Sequence, residues 1–210
     1  MKKILFILTA LLFITVMKAQ DLTAIKLNAP DKTRGAVVMK AFSDRHSDRE
    51  FAKKELSKQD LSDLLWAANG INRADGKRTA PSALNKQDVD VYVIMKDGAY
   101  LYDAQAHALK PIAKGDHRAA VAAGQDFVKE APLSLVLVSD LSRFGDISDH
   151  TKLIAAMDAG IVSQNINLCC AGIGLSTVPR ATMDQKALKE ILKLSDNQLL
   201  LMNNPVGYPK

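Results

Sequence analysis

The chain has 210 residues, of which 48% are hydrophobic and 24% charged, an ordinary globular composition with enough apolar material for one sizeable core. Its formal charge of +5 falls to +2 when the three lysines of the N-terminal segment, Lys2, Lys3 and Lys18, are removed, and this excludes the strongly basic character of nucleic-acid-binding domains. We therefore expect one domain over residues 20–210 and no nucleic-acid partner.

Residues 1–19 have the pattern of a secretory signal peptide. Lysines are followed by an apolar run over residues 4–16, and the small residue Ala19 precedes the predicted cut. The apolar run is short for a membrane span, although an uncleaved anchor stays open as the alternative. We expect export to the bacterial periplasm, with no stable membrane insertion after cleavage.

The first half of the mature chain predicts two helices and a long connection. Apolar residues lie on a helical stripe over residues 33–42. Ser57 and Asp60 resemble a capping box that begins a helix ending at Asn69-Gly70. Residues 71–88 form a polar, turn-rich connection. Loops of this length in compact domains are usually functional or disordered.

The second half predicts strands and then helices. Residues 89–95 and 99–102 form a hairpin around Asp97-Gly98, and a third strand over residues 133–138 follows a helix that begins near His117. Because helices and strands are mixed without strict alternation, we expect an α+β fold.

A long helix is predicted over residues 148–171. It is rich in small residues and apolar on more than one side, so we expect it to be buried against a neighbour or a second subunit. Cys169 and Cys170 are adjacent in this helix, where neighbouring side chains diverge, and we interpret them as buried apolar residues rather than a disulfide. A last helix is predicted over residues 184–194.

The side chains offer little catalytic chemistry of their own. No nucleophile elbow, Walker-type loop or zinc-binding helix is present, and the two cysteines and four histidines lack metal-ligand spacing. We therefore assign no catalytic side chain and no metal. Such a profile is typical of a protein whose chemistry belongs to a bound cofactor.

One polar stretch, Arg45-His46-Ser47-Asp48-Arg49-Glu50-Phe51, has a candidate binding role. Two guanidinium groups four residues apart, with a hydroxyl between them, can bind one phosphate through paired charge-assisted hydrogen bonds. A solvated charged surface is the alternative interpretation of the same residues.

The same stretch resembles the Arg-x-Ser-x-Arg-x-Phe motif at the entry of the nitroreductase family of flavin enzymes. The helix at residues 64–70, the proline- and serine-containing loop at residues 78–87, the segment at residues 158–179 and the ending Gly207-Tyr208-Pro209 resemble later parts of that family in order and spacing. Together they cover nearly the whole mature chain, and the subgroup that it most resembles is the SagB-type dehydrogenases.

The resemblance implies an α+β homodimer with a central, mainly antiparallel sheet flanked by helices and a long helix at the dimer interface. It also implies two FMN sites between the subunits. The residues that would hold the phosphate and ribityl chain are Arg45, His46, Ser47, Arg49 and Lys210. Those that would reach the flavin of the partner subunit are Pro81, Ser82, Ala83 and Asn85. Those whose backbone would lie beside the reactive flavin nitrogen are Pro179, Arg180 and Ala181.

By this resemblance the protein is an exported FMN-dependent oxidoreductase that transfers a hydride through the flavin to or from a small organic substrate, such as a nitro compound or a quinone. NAD(P)H is one candidate electron donor. Because nicotinamide nucleotides are scarce outside the cytoplasm, oxidation of a substrate with electrons passed outward is the other route. A flavin-binding module without turnover, or a degenerate relative that has lost FMN, is the alternative function. Arg180-Ala181, where relatives often carry a glycine, and the short C-terminal end favour it.

Overall fold

The computed structural model describes residues 21–145 and 147–210, and the predicted signal peptide lies outside the described residues. Seven strands of the described part form one sheet. They are β1 (Ile25–Lys26), β2 (Val89–Met95), β3 (Gly98–Asp103), β4 (Ala108–Lys114), β5 (Leu133–Asp140), β6 (Ser176–Thr177) and β7 (Gln198–Gly207). Their order is β1-β4-β3-β2-β5-β7-β6, and every neighbouring pair is antiparallel.

Six α-helices of the described part flank this sheet. They are α1 (Val38–Asp44), α2 (Lys58–Asn69), α3 (Arg118–Ala122), α4 (Phe127–Glu130), α5 (Asp149–Ile173) and α6 (Gln185–Ile191). Short 3₁₀ turns occur at Ala83–Asn85 and Leu141–Phe144. The predicted α+β fold with an antiparallel sheet, flanking helices and one long helix is confirmed.

The central strands β2 and β5 are buried on both faces, which separates the core into two layers. Because side chains alternate along a strand, Val91 and Val93 of β2 pack with α2 and α5, whereas Tyr92 and Ile94 pack with α3, α4 and α6 on the other face. This arrangement explains why β2 is almost continuously apolar.

The sequence signals at the ends of α2 act as predicted. The Ser57 hydroxyl accepts a hydrogen bond from the Asp60 N–H at 3.0 Å, which satisfies one of the free donors of the first turn. At the other end, a Cβ built on Gly70 would lie 2.5 Å from Cδ1 of Trp66. A larger residue at position 70 would therefore displace the indole.

The long helix α5 begins after Ser148 and ends at Gly174, whose φ of 77° suits a glycine. By length and composition it is the single helix of the described residues that could cross a membrane. Buried residues such as Val162 and Ile166 pack on the sheet, as in the core helix of a globular protein. Cys170 is buried and Cys169 partly buried, both as free thiols.

Two long strands, β4 and β7, are not predicted from the sequence because their patterns are atypical. β4 carries exposed lysines and Pro111, and this is tolerated because its short neighbour β1 pairs only at Leu109 and Ala108. β7 contains Asn203, Asn204 and Pro205 after an apolar run, so it lacks the alternation of a strand with one buried face.

Candidate functional site

The arginine loop, residues 45–51, follows α1 and is fixed by backbone hydrogen bonds. The Asp48 N–H donates to the carbonyl oxygen of Thr177 at 3.0 Å, and just beyond the loop the Ala52 N–H donates to that of Tyr208 at 2.9 Å. Thr177 belongs to β6 and Tyr208 follows β7. The loop is therefore held between the segment after α5 and the C-terminal end of the sheet.

Phe51, the last residue of this loop, packs below the end of the sheet because position 207 is a glycine. Phe51 is 4% exposed, and a Cβ built on Gly207 would lie 3.0 Å from its Cδ1 and 2.8 Å from Cδ of Pro132. A side chain at position 207 would thus force Phe51 out of its seat. The buried position of Phe51 in the arginine loop therefore depends on a glycine at position 207, near the C-terminal end of the sheet.

The polar side chains of the loop face outward: Arg45, His46, Ser47 and Arg49 are all exposed. The chain has eight arginines, and in the part that the structure describes six of their guanidinium groups donate hydrogen bonds to protein oxygens. Those six are Arg34, Arg73, Arg78, Arg118, Arg143 and Arg180. The guanidinium groups of Arg45 and Arg49 have no such partner among the described residues.

His46 is tied to its own loop through both ring nitrogens. Nδ1 lies 2.7 Å from the Asp44 carbonyl oxygen, and Nε2 lies 3.0 Å from Oδ1 of Asp48. The hydrogen bond to Asp44 first, and then the charge of Asp48, raise the pKa of His46 above its usual value. When it is protonated, the ring would add positive charge to the loop that carries the two arginines.

The C-terminal lysine lies next to the arginine loop. Arg49, Phe51 and Lys210 line a cleft of ≈ 300 Å³, and Lys210 Nζ is 4.0 Å from Oε2 of Glu50. Both charged groups of this pair are exposed, so the pair contributes little to stability. The structure thus brings Lys210 to the residues with which the resemblance groups it.

A second cleft, of ≈ 240 Å³, lies on the α5 side of the loop and is lined by His46, Asn167 and Thr177 among others. A buried polar network supports its wall. Asn204 Nδ2 donates to Oδ1 of Asn167 at 3.1 Å, and the Thr177 hydroxyl donates to the Pro205 carbonyl oxygen at 2.8 Å. These bonds fix α5, β6 and β7 relative to one another.

The side chain of Arg180 points into the protein, away from both clefts. It is 8% exposed and donates to the carbonyl oxygens of Val121 and Ala122 in α3 and to Oδ1 of Asn203 in β7. Burial lowers the pKa of Arg180 from its ordinary value. The guanidinium group therefore joins α3 to the sheet.

The backbone of Arg180 is also occupied. Its N–H donates to the Asn203 carbonyl oxygen at 2.8 Å, and its carbonyl oxygen accepts from the Asn203 N–H at 2.7 Å. Pro179 has no N–H, and Ala181 is exposed. Of the three residues predicted beside the flavin, Ala181 is the one whose N–H remains available.

The proline loop, residues 78–88, adopts a costly backbone conformation. Leu84, Asn85 and Gln87 have φ values of 51°, 53° and 49°, in the left-handed region that residues other than glycine rarely adopt. The Gln87 N–H donates to the Ser82 hydroxyl at 2.8 Å, which closes the bend. Such a conformation persists only where the surroundings hold it.

The proline loop is anchored to the middle of α5, whereas the arginine loop lies at the end of that helix. The Ala83 N–H donates to Oδ2 of Asp158 at 2.9 Å, and the neighbouring Pro81 is exposed. The cleft beside the arginine loop is lined by Gly174. From Asp158 to Gly174 the helix rises roughly 24 Å at 1.5 Å per residue. Within one chain the two groups of predicted flavin contacts are therefore anchored far apart.

Comparison with known proteins identifies the fold and this arrangement of loops. The profile described as Nitroreductase family matches residues 42–208, which include the arginine loop, the proline loop and Tyr208. The chain belongs to the nitroreductase family. The roles predicted for the individual site residues of this nitroreductase remain predictions.

Three relatives illustrate this membership. A protein of Methanocaldococcus jannaschii whose name describes it as a nitroreductase is 32% identical over 78% of this chain and 86% of its own length. FMN reductase [NAD(P)H] of Bacillus subtilis is 24% identical over 82% of this chain and 66% of its own length. A crystal structure from Ralstonia eutropha JMP134, also described as a nitroreductase, has a TM-score of 0.83 and 35% identity, covering 90% of each chain.

Several polar residues that shape the site of this nitroreductase were not identified from the sequence. Asn167 and Asp158 lie within the apolar helix α5. A buried polar side chain needs a hydrogen-bond partner, but the local sequence does not identify that partner. The partner of Asn167 is Asn204, which lies 37 positions later in a strand that was not predicted. Such pairings depend on the sheet order, which local pattern does not contain.

Proposed function

We propose that this nitroreductase is an FMN-dependent oxidoreductase that acts on a small organic substrate such as a nitro compound or a quinone. Family membership and the similarity to an FMN reductase support a redox function. The observation that carries the cofactor proposal is the pair Arg45 and Arg49, exposed, without protein partners among the described residues, and fixed in a loop beside Lys210.

The donor set of the arginine loop fits a phosphate monoester. Arg45 and Arg49 would supply charge-assisted hydrogen bonds, Ser47 a hydroxyl and Lys210 a further positive charge. When bound, FMN would supply the hydride chemistry that no side chain here provides. The chain itself would bind and orient the cofactor, with the exposed Ala181 N–H as a donor near the flavin.

We further propose that the working form is a homodimer in which residues 81–85 of one subunit complete the site of the other. The separation of roughly 24 Å along α5 between the two anchoring points supports this proposal. Exposed apolar residues support it too: Leu153, Met157 and Ile161 recur every four residues along one face of α5. Such a face is typical of a buried contact.

Export to the periplasm, a SagB-type activity and the electron donor are further parts of the proposal. Export depends on the signal-like residues 1–19, and it would limit access to NAD(P)H. Mixing the purified flavoprotein with NADPH under anaerobic conditions tests the donor: bleaching of the flavin absorbance supports a nitroreductase-type cycle. Absence of bleaching would favour the other route, in which a substrate is oxidised and its electrons are passed outward.

The experiment that tests the cofactor proposal compares FMN affinity in two charge-matched double variants of the chain from Gln20 onward. Arg45→Gln with Arg49→Gln should weaken FMN binding by roughly 100-fold or more, because two hydrogen bonds to a charged group are lost. The control, Lys186→Gln with Lys193→Gln, removes the same charge from exposed positions in and just after α6 and should leave affinity unchanged. Equal affinities in both variants would contradict the phosphate assignment.

A flavin-binding module without turnover is the second candidate function. The paired backbone of Arg180 favours it, because that residue offers no donor to a flavin at a position where one is expected. Near-normal FMN affinity, together with no reduction of the bound flavin by any of several enzymatic electron donors, would favour this module over an enzyme.

A further inference from the structure

Asp88 is a buried carboxyl group at the junction of the proline loop and β2. It is 0% exposed, and the Ser139 hydroxyl of β5 donates to its Oδ2 at 2.5 Å. Its other oxygen, Oδ1, is buried and receives no hydrogen bond from the described residues. A carboxylate oxygen left without a donor in a dry interior is unfavourable, so Oδ1 requires a proton of its own or one from a neighbour.

The neighbour is a second carboxyl group. Asp158 of α5 is 5% exposed, and it lines a small cavity together with Gln87 and Val89, the residues on either side of Asp88. Its Oδ2 accepts the hydrogen bond from the Ala83 N–H that anchors the proline loop. Burial, and then the neighbouring Asp158, raise the pKa of Asp88 to about 6 against the hydrogen bond from Ser139.

No positive side chain in the described part pairs with either carboxyl group. Arg143 interacts with Asp88 through its charge, but it donates hydrogen bonds to both oxygens of Asp90, at 2.8 and 2.7 Å. Asp140 of β5 contacts Asp88 only through its backbone N–H. Two carboxylates that face each other without a counterion cannot both ionise at low cost.

We propose that Asp88 and Asp158 share one proton, and that this acid–carboxylate hydrogen bond positions the proline loop on α5. The inference rests on the proposed function only for its consequence, which is correct placement of residues 81–85 at the flavin. With the proton present, Asp158 binds both Asp88 and the Ala83 N–H. Without it, two anions face each other at the base of a loop whose left-handed residues need external support.

The two carboxyl groups are therefore positioning residues, and loss of their shared proton loosens the loop. Asp88 is held to β5 by Ser139 and Asp140, so the repulsion turns the Asp158 side chain away from Asp88 and weakens its hydrogen bond from the Ala83 N–H. The loop then loses the Asp158 contact with Ala83 more often. Its backbone amides should exchange with solvent faster at alkaline than at acidic pH, beyond the ordinary effect of pH on exchange.

Hydrogen–deuterium exchange of the FMN-free protein at pH 5 to 8, corrected for intrinsic rates, tests the loop directly. In the wild-type protein the protection of residues 80–88 should fall about tenfold between pH 5 and pH 8. In Asp158→Asn the amide oxygen still accepts from Ala83 and its NH₂ donates to Asp88 without a proton, so protection should be independent of pH. The exposed Asp149→Asn on the same helix should behave as the wild type.

A third variant and a binding measurement distinguish failure of the shared-proton proposal from failure of the proposed FMN-dependent function. Asp158→Ala removes the acceptor for Ala83 and should lose protection at every pH. FMN affinity of wild type and Asp158→Asn is compared at each pH, because a phosphate monoester itself titrates near pH 6. A pH-dependent loop in wild type and Asp158→Asn alike would overturn the shared proton. A pH-dependent loop that Asp158→Asn abolishes, in a protein that never binds FMN, would refute only the proposed function.

Discussion

Replacing Asp88 by asparagine should change how the free energy of unfolding depends on pH. Burial and Asp158 raise the pKa of Asp88 from 3.8 in the unfolded chain to about 6 in the folded protein. The folded state therefore binds the proton more tightly, and the resulting stabilisation is complete below pH 4 and is lost as pH rises through 6. A shift of this size corresponds to about 3 kcal/mol at 1.4 kcal/mol per pKa unit.

The assay is urea unfolding of wild type and Asp88→Asn at several pH values between 4 and 7.5. Because all other titrating groups are common to both proteins, the difference between their unfolding free energies reports on Asp88 together with its partner Asp158. This difference should change by about 2 kcal/mol in favour of the variant between pH 4 and pH 7, less than the full shift because the unfolded chain is already partly protonated at pH 4. Asp149→Asn, whose side chain is 98% exposed, should follow the wild type. Parallel curves for wild type and Asp88→Asn would show that Asp88 keeps an ordinary pKa and would refute the reasoning.

Three further variants test the fold and the proposed dimer. Ser57→Ala removes the N-cap of α2 and should lower the free energy of unfolding by about 1 kcal/mol in urea titrations; a change near zero would contradict the capping role. Arg180→Met leaves buried acceptors unpaired and should cost about 3 kcal/mol, yet FMN affinity of the folded protein should stay unchanged if the side chain has no flavin contact. Met157→Glu should shift sedimentation toward the monomer, whereas Gln185→Glu on α6 should not; a dimer retained in both would place the interface elsewhere.

The parts of the fold that were predicted correctly are those with strong local signals. The capping residue Ser57 and the terminal Gly70 delimit α2, and Asp97-Gly98 turns β2 into β3. In each case the information lies within a few residues, so no knowledge of the tertiary structure is needed. The long helix α5 was predicted for the same reason, to within two residues at its end.

The parts that were missed depend on neighbours that are distant in sequence. β7 pairs with β5 across some 65 positions, and its asparagines are tolerated because they bond to α5 and to the segment of Arg180. The interior direction of the Arg180 side chain follows from the carbonyl ends of α3, which lie about 60 positions earlier. Periodicity along a strand or a helix does not contain such information.

The candidate site divides in the same way. Local chemistry indicated that Arg45 and Arg49 can bind a phosphate, but it left a solvated charged surface open as the alternative. The structure adds that the other six arginines of the chain all have protein partners. In the part of the chain that the structure describes, Arg45 and Arg49 are the two arginines whose guanidinium groups have no protein partner. Both lie in a loop that is fixed by backbone hydrogen bonds. Exposed guanidinium groups with unused donors in a fixed loop are what a binding site for an anion such as a phosphate requires. The double variant at Arg45 and Arg49 decides this point: if the loop serves an anion, removing both exposed charges should leave the stability of the FMN-free protein unchanged while weakening FMN binding. If both quantities fall together, the two arginines support the fold and not the cofactor.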